Sequence, residues 1–118
     1  MKITTVLFDL DGTLLPLDQD NFVATYFKYL AHKMAQRGFE SDKFIKSIVA
    51  GTHAMAANNG ECTNEEAFWK TFVAANGEIS DEDKAAFDEF YRVEFQQVQK
   101  VCGQNPEAAK CVSELKKM

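Results

Sequence analysis

Only one stretch of this chain reads as a β-strand, and it opens the sequence. In Ile3 to Phe8 (ITTVLF) the residues Ile3, Val6, Leu7 and Phe8 are apolar and Thr4 and Thr5 are β-branched, which suits a short buried strand. A single buried strand cannot satisfy its own backbone N–H and C=O groups. It needs neighbours in a sheet, and no second strand is visible in the 118 residues. The expectation is therefore that another chain supplies the sheet or that this is the N-terminal piece of a longer protein.

Beyond Gly12 and the loop around Pro16, which bars a helix there, the pattern turns helical and stays so. Phe22, Tyr26, Leu30 and Met34 recur every four residues, and Gly38 is placed to stop that helix. A second helix is predicted from a cap at Ser41 or Asp42, with Phe44, Ile45, Ile48, Val49 and Met55 on its apolar side. Thr63-Asn-Glu-Glu66 has the form of a capping box and starts a third, bearing Phe68, Trp69, Phe72 and Val73. Ser80-Asp-Glu-Asp83 caps a fourth and longer one whose apolar face continues through Phe87, Phe90, Tyr91, Phe95 and Val98. Asn105-Pro106 opens a fifth, with proline at the first helical position.

Composition excludes several classes of function. A formal net charge of −5 argues against a nucleic-acid binder, which needs a basic surface. No apolar run approaches the ~20 residues that span a bilayer, so no membrane partner is expected. The opening residues are interrupted by acids too early for a signal peptide. Cys62, Cys102 and Cys111 have neither disulfide nor metal-site spacing, which suits free thiols in a reducing cytoplasm.

The chemistry-bearing feature is Asp9-Leu-Asp11-Gly12-Thr13, at the end of the expected strand. Four readings of the two acids stand side by side. Asp and Gly are common in polar turns. A calcium loop would want glycine at position 6 and glutamate at 12; counted from Asp9, Gly12 is fourth and Asp20 is twelfth. A phosphate cradle of backbone amides alone would need more than one glycine. The fourth reading is a nucleophilic site in the crevice at the carboxyl end of a strand. There one carboxylate attacks phosphorus and the second moves protons, while a hard cation neutralises anion–anion repulsion. Gly12 permits an unusual backbone turn and Thr13 offers a hydroxyl.

Phe8-Asp9-Leu10-Asp11-Gly12-Thr13-Leu14 resembles the first motif of the haloacid dehalogenase (HAD) superfamily, a hydrophobic strand followed by DxDGT. The resemblance implies an α/β fold with a Rossmann-type core, represented here by one N-terminal strand plus a mostly α-helical cap, so that the chain itself is predominantly α. It divides the chain into a first core strand and catalytic loop (1–16), a helical cap inserted after the motif (17–101) and a return to the core (102–118). It implies a phosphatase that uses Mg²⁺ and an aspartyl-phosphate intermediate. Asp9 would be the nucleophile and a side-chain Mg²⁺ ligand. Asp11 would be the general acid/base and a Mg²⁺ ligand through its carbonyl. Gly12 and Thr13 would position the phosphate. The substrate class implied is a small phosphorylated metabolite. The family's phosphate-binding hydroxyl, its lysine and its further acids lie downstream of such a cap, so Thr52, Lys70 and Asp83 are not given those roles, and the chain alone is expected to be inactive or nearly so.

Other residues invite functional readings with plainer alternatives. His32 and His53 read as surface histidines. Trp69 with Phe68 and Phe72 reads as packing between helices. Lys33 and Arg37 could meet an anionic substrate or form a solvated helix face. Cys62, beside Glu61, lacks the electropositive surroundings of a reactive thiol. The non-enzymatic alternative is a helical interaction module, or a truncated product, that self-associates through the exposed strand.

Overall fold

The computed structural model describes residues 2–118. Their elements are α1 (Gln19–Ala35), α2 (Ser41–Ala56), α3 (Asn64–Asn76), α4 (Asp81–Arg92), a 3-10 segment (Glu94–Val101) and α5 (Pro106–Lys117). The chain divides into two compact units, Met1–Tyr26 with Gln97–Met118, and Phe27–Gln96.

The expected strand at residues 3–8 does not form a ladder. Among the described residues the β-type pairing consists of two isolated bridges, Asp11 with Leu15 and Leu17 with Cys102. The reason is the one that made a lone strand suspect: without a neighbour the backbone gains nothing from a strand register. The segment keeps its apolar character in the open, with Ile3 75% and Leu7 90% exposed. It also borders a groove of about 620 Å³ shared with Val112, Leu115 and Met118. The Rossmann-type core is accordingly not formed by these residues; what is formed is helical.

Local signals placed most helix ends. Thr63 accepts from the Glu66 N–H while the Glu66 carboxylate accepts from the Thr63 N–H, and Ser80 and Asp83 repeat the arrangement at α4. Asn105 caps α5, with Pro106 following it. Gly38 takes φ +93°, a left-handed conformation, as the chain leaves the end of α1. At α2 the cap is Glu40 rather than Ser41 or Asp42: its two carboxylate oxygens accept from the Asp42 and Lys43 N–H groups at 3.0 and 2.7 Å.

The fourth helix is shorter than its apolar period predicts. It ends at Arg92 and gives way to the tighter winding of Glu94–Val101. The Lys33 ammonium donates to Glu89 at 2.9 Å and to Glu94 at 2.8 Å. Residues five apart on an α-helix point about 140° away from each other, so a break between the two acids eases their convergence on one cation.

The core of the Phe27–Gln96 unit is aromatic. Leu30, Met34, Phe44, Phe72 and Phe90 are fully buried. Phe72 meets Phe44 at 5.7 Å, Trp69 at 5.6 Å and Phe87 at 6.0 Å between ring centroids, all edge-on. Trp69 also packs on Phe87 at 5.2 Å and carries the Lys84 ammonium over its ring at 5.3 Å. Trp69 is thus a half-buried packing residue with one face under a cation.

Helices α2 and α3 approach closely at Gly51. A Cβ built there would lie 2.6 Å from the Phe68 ring, which is itself stacked on Phe72 and set against Trp69. Gly→Ala in a helix interior ordinarily gains up to ~1 kcal/mol. Here overpacking of about 1–3 kcal/mol opposes that gain. Gly51→Ala is expected to lower stability by roughly 1 kcal/mol in urea unfolding; a stabilised variant would show that the ring moves aside freely.

The ion pairs and caps give the chain an acid-sensitive side. Hydrogen bonds from the Thr63 backbone and hydroxyl hold the Glu66 carboxyl below its ordinary 4.5, and the Lys43 and Asp42 N–H groups do the same for Glu40. Lys33 lowers Glu89. Burial pushes Asp83 up, but hydrogen bonds from Arg37 and Ser80 outweigh it and leave the carboxyl below 3.8. Groups whose folded pKa is depressed contribute stability that is present above the unfolded value and lost as pH falls through the folded one. The urea midpoint should therefore decline below about pH 4.5, and Glu66→Gln should flatten that decline. Lys33 has the opposite sign: the hydrogen bonds it donates to Glu89 and then Glu94 raise it above 10.5, so its contribution is lost only in strong alkali.

Candidate functional site

The four residues singled out in the sequence, Asp9, Asp11, Gly12 and Thr13, lie on one tight turn, and all four are exposed. The turn is closed by its own backbone. The Leu10 carbonyl accepts from the Thr13 N–H at 3.1 Å and from the Leu15 N–H at 2.9 Å, and the Gly12 N–H donates to the Leu15 carbonyl at 2.8 Å. Gly12 sits at φ +76°, which explains why a glycine is needed: open space surrounds it, but a side chain there would strain the backbone.

That fold-back brings Thr13 onto Asp9. The Thr13 hydroxyl donates to Asp9 Oδ2 at 3.1 Å. One carboxylate oxygen of Asp9 is thereby oriented by a neighbour four positions on. The structure thus brings together the residues that sequence reasoning assigned to the nucleophile and to phosphate positioning.

No group of three or more His, Cys, Asp or Glu side chains gathers around a common point among the described residues. The turn offers the Asp9 carboxylate and the Asp11 carbonyl, both hard oxygen donors. These suit Mg²⁺, which keeps several waters and takes one or two carboxylates. The donor set fits the cation in kind and would supply only part of its shell.

The other candidate residues have other employment. Lys33 is taken up by Glu89 and Glu94, and Arg37 Nε donates to Asp83 at 2.6 Å, beside a cleft of about 340 Å³. His32 and His53 are exposed. Cys62 Sγ lies 3.8 Å from the Asn58 side-chain oxygen in an exposed loop. Sequence reasoning missed one participant. Asn105, read only as a helix cap, also donates its amide to the Thr13 carbonyl at 3.3 Å. Its sole sequence signal was the capping position, which says nothing about a contact 92 residues away.

No curated protein and no solved structure matches the chain. The family described as haloacid dehalogenase-like hydrolase matches residues 3–118. With a DxDGT turn in which the threonine orients the first aspartate, and a family match over nearly the whole sequence, this chain belongs to the haloacid dehalogenase-like hydrolases.

Proposed function

We propose that the chain carries the nucleophile of a Mg²⁺-dependent phosphohydrolase acting on a small phosphate ester. The observation that supports this most directly is the Thr13–Asp9 hydrogen bond, which orients one carboxylate oxygen. Asp9 Oδ1 attacks phosphorus, forming an acyl phosphate as the bond from phosphorus to the ester oxygen breaks. Asp11 gives its proton to the departing alkoxide. Water then attacks the acyl phosphate, Asp11 takes a proton from it, and phosphate leaves as the Asp9 carboxylate is restored. Asp9 and the Asp11 carbonyl would hold Mg²⁺, whose charge offsets repulsion between carboxylate and phosphate.

We further infer that the helical stretch 17–101 is the cap of such an enzyme and that its site is cytoplasmic. Support for the cap comes from its helices and its own aromatic core; support for the compartment comes from three free thiols. Among the described residues the turn has no cationic side chain to stabilise a transferring phosphoryl group, and preorganised charges of that kind supply much of the rate in such sites. The isolated 118-residue chain should therefore hydrolyse p-nitrophenyl phosphate with Mg²⁺ at close to the background rate. Robust turnover by the pure chain that disappears in Asp9→Asn would mean that the chain holds a complete site.

A second reading is favoured by the exposure of Ile3, Leu7 and Leu10, which are 75%, 90% and 56% accessible. An open apolar segment of high β-propensity invites pairing with another copy. Sedimentation of the chain between low and high micromolar concentration tests it; a monomer throughout removes self-association from consideration.

A further inference from the structure

The stretch after the 3-10 segment meets the first turn at three successive places. Cys102 bridges to Leu17, the Gly103 N–H donates to the Pro16 carbonyl at 2.6 Å, and Asn105 Nδ2 donates to the Thr13 carbonyl at 3.3 Å. The first two contacts hold the exit of the turn. The third reaches back toward its middle. Gly103 is suited to its place because a Cβ there would lie 3.1 Å from the Pro16 ring and 3.3 Å from its carbonyl, so a side chain would push the two stretches apart.

Asn105 is bonded in two directions. Its Oδ1 accepts the Glu107 N–H at 3.1 Å and caps α5, while its Nδ2 holds Thr13. A primary amide is the uncharged side-chain group that puts an acceptor and two donors on separate atoms. Serine or aspartate would cap α5 about as well. Neither can reproduce the second bond: the serine hydroxyl is on too short a stem, and the carboxylate has no donor. Thr13, held through its carbonyl, gives its hydroxyl to Asp9 Oδ2.

We propose that Asn105 is a positioning residue for the Asp9 carboxylate, acting through Thr13, and that its role as a helix cap is only half of its function. The clamp ties the α5 N-terminus to the turn so that the Thr13 hydroxyl stays aimed at Asp9. Calling Asp9 the reacting group rests on the phosphohydrolase reading; the clamp itself does not.

The test separates capping from clamping in the 118-residue chain. Asn105→Ser and Asn105→Asp retain the cap and remove the amide donor, whereas Asn105→Ala removes both. Water-exchange NMR should show the Gly12, Thr13 and Leu15 amides exchanging about three- to tenfold faster in the Ser and Asp variants, the range set by one net hydrogen bond. The α5 amides should be unchanged in these two variants. The Thr13 Hα–Hβ coupling should move from a single-rotamer value toward an averaged one, a signature that loss of a cap would not produce. If Asn105→Ala unravels α5, the Ser and Asp variants still decide. Wild-type turn exchange and Thr13 coupling in Asn105→Ser would overturn the proposal. Titration of the wild-type chain with Mg²⁺ alone, followed at the Asp9 carboxyl carbon, tests the phosphohydrolase reading apart from the clamp. An Asp9 signal that Mg²⁺ does not move, beside turn amides that respond to Asn105→Ser, would count against Asp9 as a metal ligand and leave the clamp standing.

Discussion

Replacing Phe72 with alanine is expected to lower the unfolding free energy by about 3–5 kcal/mol, the range for removing a buried aromatic ring from a core. Phe72 is fully buried and is the ring on which the others converge: Phe44, Phe68, Trp69 and Phe87 all lie within 6.0 Å of its centroid. Four neighbours cannot collapse into the space at once without breaking their mutual edge-on contacts, so the cavity term should be near its upper limit. Whole-domain stabilities run to about 5–15 kcal/mol, so the loss removes a large share of the total. Urea unfolding followed by Trp69 fluorescence measures it, since that indole sits against Phe72 itself. Phe72→Leu should lose distinctly less. An alanine variant within about 1 kcal/mol of wild type would show that the aromatic cluster does not hold this unit together.

The second large effect is chemical. In any form of the protein that turns over phosphate esters, Asp9→Asn should lower hydrolysis by at least about 1000-fold, or ~4 kcal/mol in the barrier. An amide oxygen is too weak a nucleophile to accept the phosphoryl group, and loss of the nucleophile in a covalent mechanism removes nearly all of the rate above binding and electrostatics. Asp9→Glu should fare little better, because an added methylene displaces the reacting oxygen by more than such geometry tolerates. The side chain is exposed, so neither change should move stability by more than about 0.5 kcal/mol. That separation matters: an inactive variant with unchanged unfolding has lost chemistry rather than structure. Activity that survives Asp9→Asn would remove this residue from the nucleophile's role. Chelation of Mg²⁺ should abolish activity in the wild type and leave the variant unchanged.

What was legible in the sequence was local. Both capping boxes and the Asn-Pro start of α5 are written within four residues each, and each formed. The phenylalanines repeat at helical spacing, and the residues they marked, Phe44, Phe72, Phe87 and Phe90, became the core. The Asp9–Thr13 contact spans four positions and follows from one glycine with a left-handed φ. What was not legible depends on distant partners. Ile3 to Phe8 has the residues of a strand but no neighbouring strand among the described residues to pair with. The early end of α4 is tied to a lysine 56 and 61 positions from the two acids it bonds. The amide of Asn105 meets Thr13 across 92 residues, and no periodicity reports such a contact. Glu40 took the α2 cap from two better-known capping residues because its longer arm reaches two N–H groups at once.

The division of the chain has a consequence during synthesis. Phe27–Gln96 is one unbroken stretch, while the other unit is joined from both ends of the sequence. On a ribosome adding about 5–20 residues per second, the aromatic unit can finish condensing before Asn105 and α5 have been made. For those seconds the nascent ITTVLF segment has neither its helix nor its clamp. Ile3 and Leu7 stay exposed even in the finished fold, so during that interval the segment is bare on the side that will border α5 as well.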